Sequence, residues 1–369
     1  MRIVQLANFY TPASGGLRTC VDEIGRGYLA AGHERVLVVP GLADADELTP
    51  AGRRITVRGL RFGTAGYHVL TARRTRPLLE RLRPDVLECS DKLSMRWLAP
   101  WARRAGVPLV LFSHERIDAI LRTRVPPGFP LITAADLANR RLATRVDRIV
   151  VTSDFARAEF ARIGADHVSR IPLGVDLDTF RPLDVPATAS GPVRLILVSR
   201  LSREKHPERA IEALPLLRHG AVDAELTVVG DGPLRDGLGQ LAADLPVRFA
   251  GHVSDRHAVA AALAAADIAL CPSPAETFGL AVLEALACGT PVVVPRAGAA
   301  HELLGPPGSG LACDGSPAGL AAAVHTLLAL PAETRRGAAR HTAERFPWSR
   351  TVTEMLRLYA DFEPALRSA

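Results

Sequence analysis

Residues 271–292 read CPSPAETFGLAVLEALACGTPV, and this stretch decides the fold. It follows a short apolar run, Ile268 to Leu270, and leads into another at Val292 to Val294. Between them, the pattern predicts a helix that begins near Phe278 after a proline-rich loop and ends at Gly289. Two apolar runs joined by a helix indicate a β-α-β unit with parallel strands.

Similar apolar runs recur along the chain and alternate with helix-like stretches. This alternation predicts an α/β fold with two doubly wound parallel sheets, each covered by helices on both faces. The other runs are Ile3 to Ala7, Val36 to Val39, Leu109 to Phe112, Ile149 to Val151, Leu195 to Val198 and Leu226 to Val229.

The domain boundary is readable in residues 179–192, TFRPLDVPATASGP, which have the composition of a linker. A chain of 369 residues also exceeds the usual size of one hydrophobic core. We therefore predict a first domain at 1–180, a second at 191–350 and a C-terminal helix at 351–369. One face of that helix carries Val352, Met355, Leu356 and Tyr359.

Composition excludes several classes of protein. Hydrophobic residues make up 48% and charged residues 23%, which is typical of a globular enzyme and not of a disordered or fibrous chain. The five cysteines show no C-x-x-C spacing, which argues against a zinc site or a disulfide framework. We expect no signal peptide and no membrane span, and hence a reducing cytoplasmic location.

Charge is unevenly distributed between the two halves. Residues 1–180 contain 27 Lys+Arg and 19 Asp+Glu, a net charge of 27 − 19 = +8, whereas residues 181–369 contain 18 and 20, a net charge of −2. A basic first half suggests an anionic partner, either nucleic acid or acidic lipid head groups. An arginine-rich composition alone is the other explanation, because only Lys92 and Lys205 are lysines.

Ligands of open α/β sheets bind beyond the carboxyl ends of the strands, so the segments after each apolar run are candidate sites. After the first run, the loop Tyr10 to Arg18 contains Gly15 and Gly16 and opens a helix whose amides can hold an anion. Taken alone, the two glycines are explained more simply by a tight turn.

Two cations follow the Leu195 to Val198 run. Arg200 and Lys205 together could neutralise a diphosphate and stabilise a departing nucleotide without a metal ion, although a solvated loop is the alternative. The turn at Gly230 brings bare backbone near the same edge. The segment Phe249 to Arg256 could wall a nucleobase.

Two carboxylates bracket the predicted helix start. Glu276 lies in the loop and Glu284 inside the helix, about 10 Å apart by helical rise, so they cannot share one proton. This spacing suits two parts of one extended ligand, with the amides of residues 278–280 between them. Glutamates in helices are usually solvated, but the neighbours of Glu284 are apolar, and a buried carboxylate needs a partner.

The spacing of Glu276 and Glu284 resembles the E-x7-E motif of glycosyltransferase family 4, whose members are retaining enzymes with the GT-B fold. The resemblance extends over nearly the whole chain. It includes Gly15-Gly16, His114 in Ser113-His114-Glu115-Arg116, Pro172-Leu173-Gly174-Val175-Asp176, the Arg200 and Lys205 pair, and the C-terminal helix.

The resemblance implies two Rossmann-like domains facing a cleft, with the C-terminal helix returning to the first domain. It also implies that Glu276 contacts the transferred hexose, Glu284 the ribose, and Arg200 with Lys205 the diphosphate, while Gly16 approaches the diphosphate when the domains close. His114 is implied near the reacting centre, through its ring or its backbone carbonyl. The full set is catalytic His114, Glu276, Arg200 and Lys205; donor-binding Gly15, Gly16, Gly230, Val253, Arg256, Thr277, Phe278, Gly279, Leu280 and Glu284; acceptor-binding Tyr10 and Arg18; and no metal or other cofactor.

The chain also resembles, within this family, actinobacterial mannosyltransferases that extend phosphatidylinositol mannosides using GDP-mannose. That resemblance rests on Asn8-Phe9-Tyr10, Ser14 to Thr19, Ser113 to Arg116 and Ser254 to Val259. It implies GDP-mannose as the donor, an anionic glycolipid as the acceptor, no nucleic acid partner, and peripheral association with the inner face of the plasma membrane. Candidate membrane-facing residues are Arg73, Arg74, Arg76, Arg81, Arg83 and the loop 122–127.

Other functions stay open at this point. A different donor such as UDP-glucose, or a soluble or diacylglycerol-type acceptor, would need only small changes in the pocket. A nucleotide-sugar epimerase would share the fold, and it would consume the donor without an acceptor. A non-catalytic nucleotide-sugar-binding scaffold would have little reason to carry Arg200, Lys205, Glu276 and Glu284 together. Oligomeric state, linkage and the identity of the hexose have no signal in the sequence.

Overall fold

A computed structural model describes residues 1–11, 15–62, 67–116, 118, 131–183 and 191–362. The predicted membrane-facing loop at 122–127 lies outside these residues. The described chain divides into two compact units. The first contains residues 1–118, 131–173 and 348–362, within the described ranges, and the second contains residues 174–347.

The first unit is built on an eight-stranded sheet in the order β10-β9-β8-β7-β1-β2-β4-β3, with a small β5-β6 hairpin beside it. All neighbouring strands of the large sheet are parallel except β3, which pairs antiparallel with β4 at one edge. The strands are β1 Arg2–Leu6, β2 Glu34–Gly41, β3 Ala45–Thr49, β4 Gly52–Arg58, β5 Leu60–Phe62, β6 Tyr67–Val69, β7 Val86–Cys89, β8 Leu109–Ser113, β9 Arg148–Val151 and β10 Val168–Arg170. The helices are α1 Gly15–Ala30, α2 Ala72–Leu82, α3 Met95–Ala105, α4 Leu131–Ala143 and α5 Asp154–Ala161.

The second unit is built on a six-stranded, wholly parallel sheet in the order β13-β12-β11-β14-β15-β16. The strands are β11 Val193–Val198, β12 Ala224–Val229, β13 Val247–Gly251, β14 Ile268–Leu270, β15 Val292–Pro295 and β16 Gly310–Cys313. The helices are α6 Glu208–His219, α7 Arg235–Leu241, α8 Arg256–Ala265, α9 Leu280–Ala287, α10 Pro317–Leu328 and α11 Ala332–Ala343. Counted from β11, the order is 3-2-1-4-5-6, a doubly wound order whose direction reverses between β11 and β14.

Each of the eight apolar runs forms a strand, and the predicted α/β fold with two doubly wound parallel sheets is confirmed. The reason is burial on both faces: the side chains of β1 and β8, for example, are almost fully enclosed by the helices around them. In each unit the core lies between the sheet and its helices.

The C-terminal helix, α12 (Trp348–Ala360), packs on α1 in the first unit. Gly27 permits the close approach, since a Cβ at this position would lie 2.2 Å from a methyl group of Val352. Of the predicted face, Val352, Met355 and Tyr359 are buried, while Leu356 is only partly covered.

Three expected boundaries differ in the structure. The C-terminal helix predicted from residue 351 begins at Trp348, so the second unit ends at 347 and not at 350. The helix predicted from Phe278 begins at Leu280, because Gly279 at φ +101° does not have helical geometry. Residues 174–180 group with the second unit, where the Val175 amide donates to the Phe346 carbonyl and the Arg340 guanidinium donates to the Phe180 carbonyl. Among the helices that the structure describes, none has the length and apolar composition of a bilayer-crossing segment.

Candidate functional site

The candidate site of the second unit lies where the strand order of its sheet reverses. Strands β11 and β14 are neighbours there, with Leu195 paired to Ile268. The segments that follow their carboxyl ends, residues 199–205 and 271–279, are therefore brought to one edge of the sheet. This is the position at which open α/β sheets bind ligands.

Lys205 and Glu276, which were predicted as site residues from these two separate segments, form a hydrogen-bonded salt bridge. The Lys205 Nζ atom lies 2.5 Å from Glu276 Oε1, and the two side chains are 28% and 24% exposed. A short 3-10 turn, Arg203–Lys205, presents the lysine. The Glu276 carbonyl accepts a hydrogen bond from the Ala299 amide, which fixes the loop that carries the carboxylate.

Arg200 lies on the same edge but differs in its contacts. Its side chain is exposed, and among the described residues it makes no hydrogen bond or ion pair. Gly230 packs closely against the backbone of this segment. A Cβ at position 230 would lie 1.9 Å from the Ser199 carbonyl oxygen, and the φ angle of Gly230 is +134°. The close approach that Gly230 permits is thus to protein backbone, and the Leu201 amide completes the contact by donating to Asp231.

The amino end of α9 is arranged by Gly279 and Phe278. Gly279 adopts a left-handed conformation that turns the chain into the helix at Leu280. Phe278 is 5% exposed, and its ring packs edge-on against that of Phe346 with centroids 6.4 Å apart, so the side chain belongs to the core of the second unit. Thr277, which follows Glu276 in the sequence, is half-buried.

Glu284 is half-buried in the apolar helix α9. Loss of hydration raises the pKa of its carboxyl to about 7, Arg256 opposes that rise and Asp176 adds to it. No hydrogen bond to the carboxylate is formed by any residue that the structure describes. Arg256 begins α8 and approaches Asp176 at 3.8 Å, while Val253 is half-buried just before it.

His114 follows β8 in the first unit. Its ring stacks on Phe112 with centroids 4.4 Å apart and planes 8° from parallel. Burial lowers the pKa of the imidazole to about 3, so the ring is neutral at physiological pH. Two residues further on, Arg116 holds the segment by donating to Asp118 and to the Phe155 carbonyl.

The two predicted acceptor residues meet at a carboxylate that the sequence analysis did not select. The Tyr10 hydroxyl donates to Asp22, with distances of 3.0 and 2.9 Å to its two oxygens, and Arg18 lies 3.8 Å from the same group. Tyr10 is only 8% exposed, whereas the Arg18 side chain is 46% exposed. Gly15 and Gly16 are exposed at the start of the same helix, α1.

Asp176 and Asp22 were both missed as site residues. Asp176 ends the segment Pro172 to Asp176, and its approach to Arg256 is a contact between residues 80 positions apart in the sequence, 256 − 176. Asp22 lies within a helix and looks like an ordinary solvated acid in the sequence. Across the described ranges, no group of three or more His, Cys, Asp or Glu side chains has the geometry to hold a metal ion.

Comparisons with known families place both units. The model described as "Glycosyl transferases group 1" matches residues 192–330, and the model described as "Glycosyltransferase Family 4" matches residues 14–179. Together they cover the second sheet, with the Lys205 and Glu276 pair, and every strand of the first sheet except β1.

Individual relatives agree with the family models. The chain is 47% identical to the GDP-mannose-dependent alpha-(1-6)-phosphatidylinositol dimannoside mannosyltransferase of Mycobacterium tuberculosis, over 96% of this chain and 95% of the relative. It is 29% identical to the corresponding monomannoside mannosyltransferase of Mycolicibacterium smegmatis, over 92% of each. Among solved structures, the sucrose-phosphate synthase from Thermosynechococcus elongatus superposes with a TM-score of 0.83 at 22% identity, over 99% of this chain and 100% of that one.

Proposed function

The chain belongs to glycosyltransferase family 4, and we propose that it transfers mannose from GDP-mannose to a phosphatidylinositol mannoside with an alpha linkage. The mycobacterial relative at 47% identity acts with that donor on that class of acceptor, and the match extends over nearly all of both chains. The observation that carries the proposal is the Lys205 and Glu276 pair beside the exposed Arg200, at the edge where the second sheet reverses.

The two cations suit the diphosphate of the donor. Arg200 offers a planar fork that makes no side-chain hydrogen bond or ion pair with the residues that the structure describes, and Lys205 offers a compact charge with three donors, one of which is taken by Glu276. As the nucleotide departs, negative charge grows on its phosphate oxygens, and preorganised cations stabilise it. We therefore expect catalysis without a metal ion.

Glu284 suits the ribose. Its carboxylate loses water in the apolar helix, which raises its pKa to about 7, and no described residue donates a hydrogen bond to it. Two neighbouring hydroxyls of a ribose would supply the missing donors, since a buried charged group is costly unless it is hydrogen-bonded. Arg256 and Val253, at the start of α8, are the candidates to flank the base.

Retention follows from family membership, and the proposed step is a same-face displacement. The bond between mannose C1 and the leaving phosphate oxygen breaks, and the bond between C1 and the acceptor oxygen forms on the same face. The acceptor proton passes to that phosphate oxygen. Glu276 orients the mannose, and His114, neutral at physiological pH, contributes contacts to the sugar without adding charge.

The acceptor is assigned to the first unit, in which the basic half of the chain lies. Exposed Arg18, next to Asp22 and Tyr10, is the cation placed to meet the anionic acceptor. An enzyme that acts on such a lipid works at a membrane surface, so we propose peripheral association with the cytoplasmic face of the plasma membrane.

The test combines donor choice with product analysis. GDP-mannose should raise the melting temperature more than UDP- or ADP-sugars do, because a preferred donor stabilises the fold by mass action. Transfer to purified phosphatidylinositol mannosides should give an alpha-linked product by NMR, and it should persist in EDTA. A preference for UDP-sugars, or consumption of the donor without an acceptor, would contradict the proposal.

A further inference from the structure

Lys205 and Glu276 pair with each other, although each is expected to bind a different part of the nucleotide-sugar. The lysine is expected at the diphosphate and the glutamate at the hexose, yet Nζ and Oε1 lie 2.5 Å apart. Both side chains keep about a quarter of their surface exposed, so a ligand can reach the pair. The carboxylate thus lies beside the cation that receives the diphosphate.

Arg200, on the same edge of the sheet, is a cation whose side chain is not held by such a pair. It is exposed and makes no side-chain hydrogen bond or ion pair within the described residues. Glu204, the other acid in this loop, forms no hydrogen bond with Lys205: one of its carboxylate oxygens accepts from the Ser202 hydroxyl at 2.6 Å, and the charges of Lys205 and Arg200 act on it only through space, which helps to lower its pKa. Of these two carboxylates, only that of Glu276 is bonded to Lys205.

We propose that Glu276 has a second role: its carboxylate restrains Lys205 and weakens binding of the nucleoside diphosphate, which favours release of the product. This inference rests on the proposed function, because it concerns the same site. Two effects act in the same direction. The lysine must share its donors between Glu276 and the phosphates, and a diphosphate bound to Lys205 is repelled by the carboxylate that contacts the same ammonium group.

The unfavourable effect of Glu276 on diphosphate binding is offset in the donor by the hexose. GDP-mannose gains the hydrogen bonds that its hexose hydroxyls donate to Glu276, whereas GDP is repelled by the carboxylate without that gain. The carboxylate therefore discriminates between substrate and product at a single side chain. A high product affinity would otherwise slow turnover, since release of product limits many transferases and other enzymes with closing sites.

The experiment measures binding of GDP and of inorganic pyrophosphate by calorimetry, first to the wild-type protein and then to Glu276→Gln. We expect both ligands to bind about tenfold more tightly to the variant, or about 1.4 kcal/mol. GDP-mannose should gain less, so the ratio of GDP to GDP-mannose affinity should rise. The GDP inhibition constant in steady-state assays should fall in parallel.

The matched control is Glu208→Gln, which removes a negative charge three residues from Lys205. Glu208 pairs with His206 at 2.8 Å and not with the lysine, so this variant should leave GDP affinity within about twofold. Glu276→Ala repeats the main test with a different side chain. In a Lys205→Gln background, Glu276→Gln should improve pyrophosphate binding less than in the wild type, because only the repulsion is left to remove.

Equal or weaker binding of GDP and pyrophosphate to Glu276→Gln overturns the inference. An equal gain in the Lys205→Gln background overturns the restraint of the lysine. These outcomes are separate from a failure of the proposed function, which would appear as wild-type protein that neither binds GDP nor transfers mannose.

Discussion

Glu88 in the first unit and Glu284 in the second are both carboxylates in apolar surroundings, and their partners differ. Glu88 is 1% exposed and accepts hydrogen bonds from Gln5 at 2.8 Å, Tyr28 at 3.0 Å and Tyr359 at 2.6 Å. Burial raises its pKa, and these three donors oppose the rise. Glu284 has no such donors among the described residues, and its pKa is raised to about 7.

The difference separates a structural carboxylate from a binding one. A buried carboxylate whose hydrogen-bond donors all belong to the protein links the elements that carry those donors and has little capacity left for a ligand. A carboxylate that has lost water without gaining protein donors destabilises the empty protein, and it can recover that cost when a ligand supplies the donors. The comparison therefore predicts opposite effects of mutation on stability.

The largest effect is expected at Glu88. Glu88→Ala removes the shared acceptor of three buried donors, of which the Tyr28 and Tyr359 hydroxyls can still bond to each other at 3.1 Å, and should lower the free energy of unfolding by about 4 kcal/mol. All three tryptophans, Trp97, Trp101 and Trp348, belong to the first unit, so urea denaturation followed by their fluorescence reports the loss directly. Donor affinity of the folded fraction should not change.

The matched control for Glu88 is Glu34→Ala on β2. Glu34 pairs with Arg2 at 2.7 Å, but the side chains are 50% and 37% exposed, and pairs of this kind contribute less than about 1 kcal/mol. If the two variants lose similar stability, the account of Glu88 as a structural carboxylate is wrong.

Glu284→Gln should have the next largest effect, on activity. Loss of charge-assisted hydrogen bonds to the ribose should lower kcat/KM for GDP-mannose about 50-fold, or about 2.3 kcal/mol. The same change should raise stability at pH 8 by about 1 to 3 kcal/mol, because it removes a carboxylate that ionises at a cost in the folded protein. Steady-state kinetics and thermal unfolding in the absence of nucleotide measure the two effects.

The sign of the stability effect follows from the raised pKa. A carboxyl with a folded pKa of about 7 and an unfolded value near 4.5 contributes its full stability below pH 4.5 and loses it as pH rises through 7. The gain from Glu284→Gln should therefore shrink towards pH 5. Glu212→Gln, on the exposed face of α6, is the control and should change neither activity nor stability. A stability loss in Glu284→Gln at pH 8 would contradict the comparison.

Glu88 shows which parts of the fold the sequence predicts and which it does not. The strand β7, Val86–Cys89, was missed because a glutamate interrupts its short apolar pattern. The donors that make Glu88 tolerable come from positions 5, 28 and 359, and no local pattern shows that they converge. The exposed edge strand β3 was missed for the opposite reason, since it has no buried face to leave a pattern.

The donor-site candidates were easier to predict because a rule of topology connects them. Strands that alternate with helices imply a parallel sheet, and the residues that follow its central strands must meet at one edge, so Lys205 and Glu276 could be selected before their contact was known. Their direct bond was not predictable, since it depends on side-chain geometry. Asp22 and Asp176 had no such rule, because one lies inside a helix and the other follows no strand of the sheet.

A smaller effect is expected of pH on the affinity for GDP. If the ribose hydroxyls donate to the ionised carboxylate, bound nucleotide lowers the pKa of Glu284 from about 7, and binding releases a proton. GDP affinity should then rise about tenfold between pH 6 and 8, which calorimetry in buffers of different ionisation enthalpy can separate from titration of the phosphate. In Glu284→Gln the part of the profile that belongs to the protein should be flat; an unchanged profile would remove Glu284 from the ribose site.

The smallest effect tests the structural carboxylate through one donor. Tyr359→Phe removes a hydrogen bond to Glu88 and a 3.1 Å contact with the Tyr28 hydroxyl but keeps the ring that packs against Tyr28 at 5.9 Å. About 1 kcal/mol of stability should be lost, well below the loss in Glu88→Ala. The remaining donors, Gln5 and Tyr28, still satisfy the carboxylate. Because Tyr359 lies on α12, the loss should also appear as faster proteolysis of that helix. Thr353→Ala, exposed on the same helix, should change unfolding by less than about 0.5 kcal/mol, and an equal loss in both variants would show that helix propensity and not the bond to Glu88 holds α12 on the first unit.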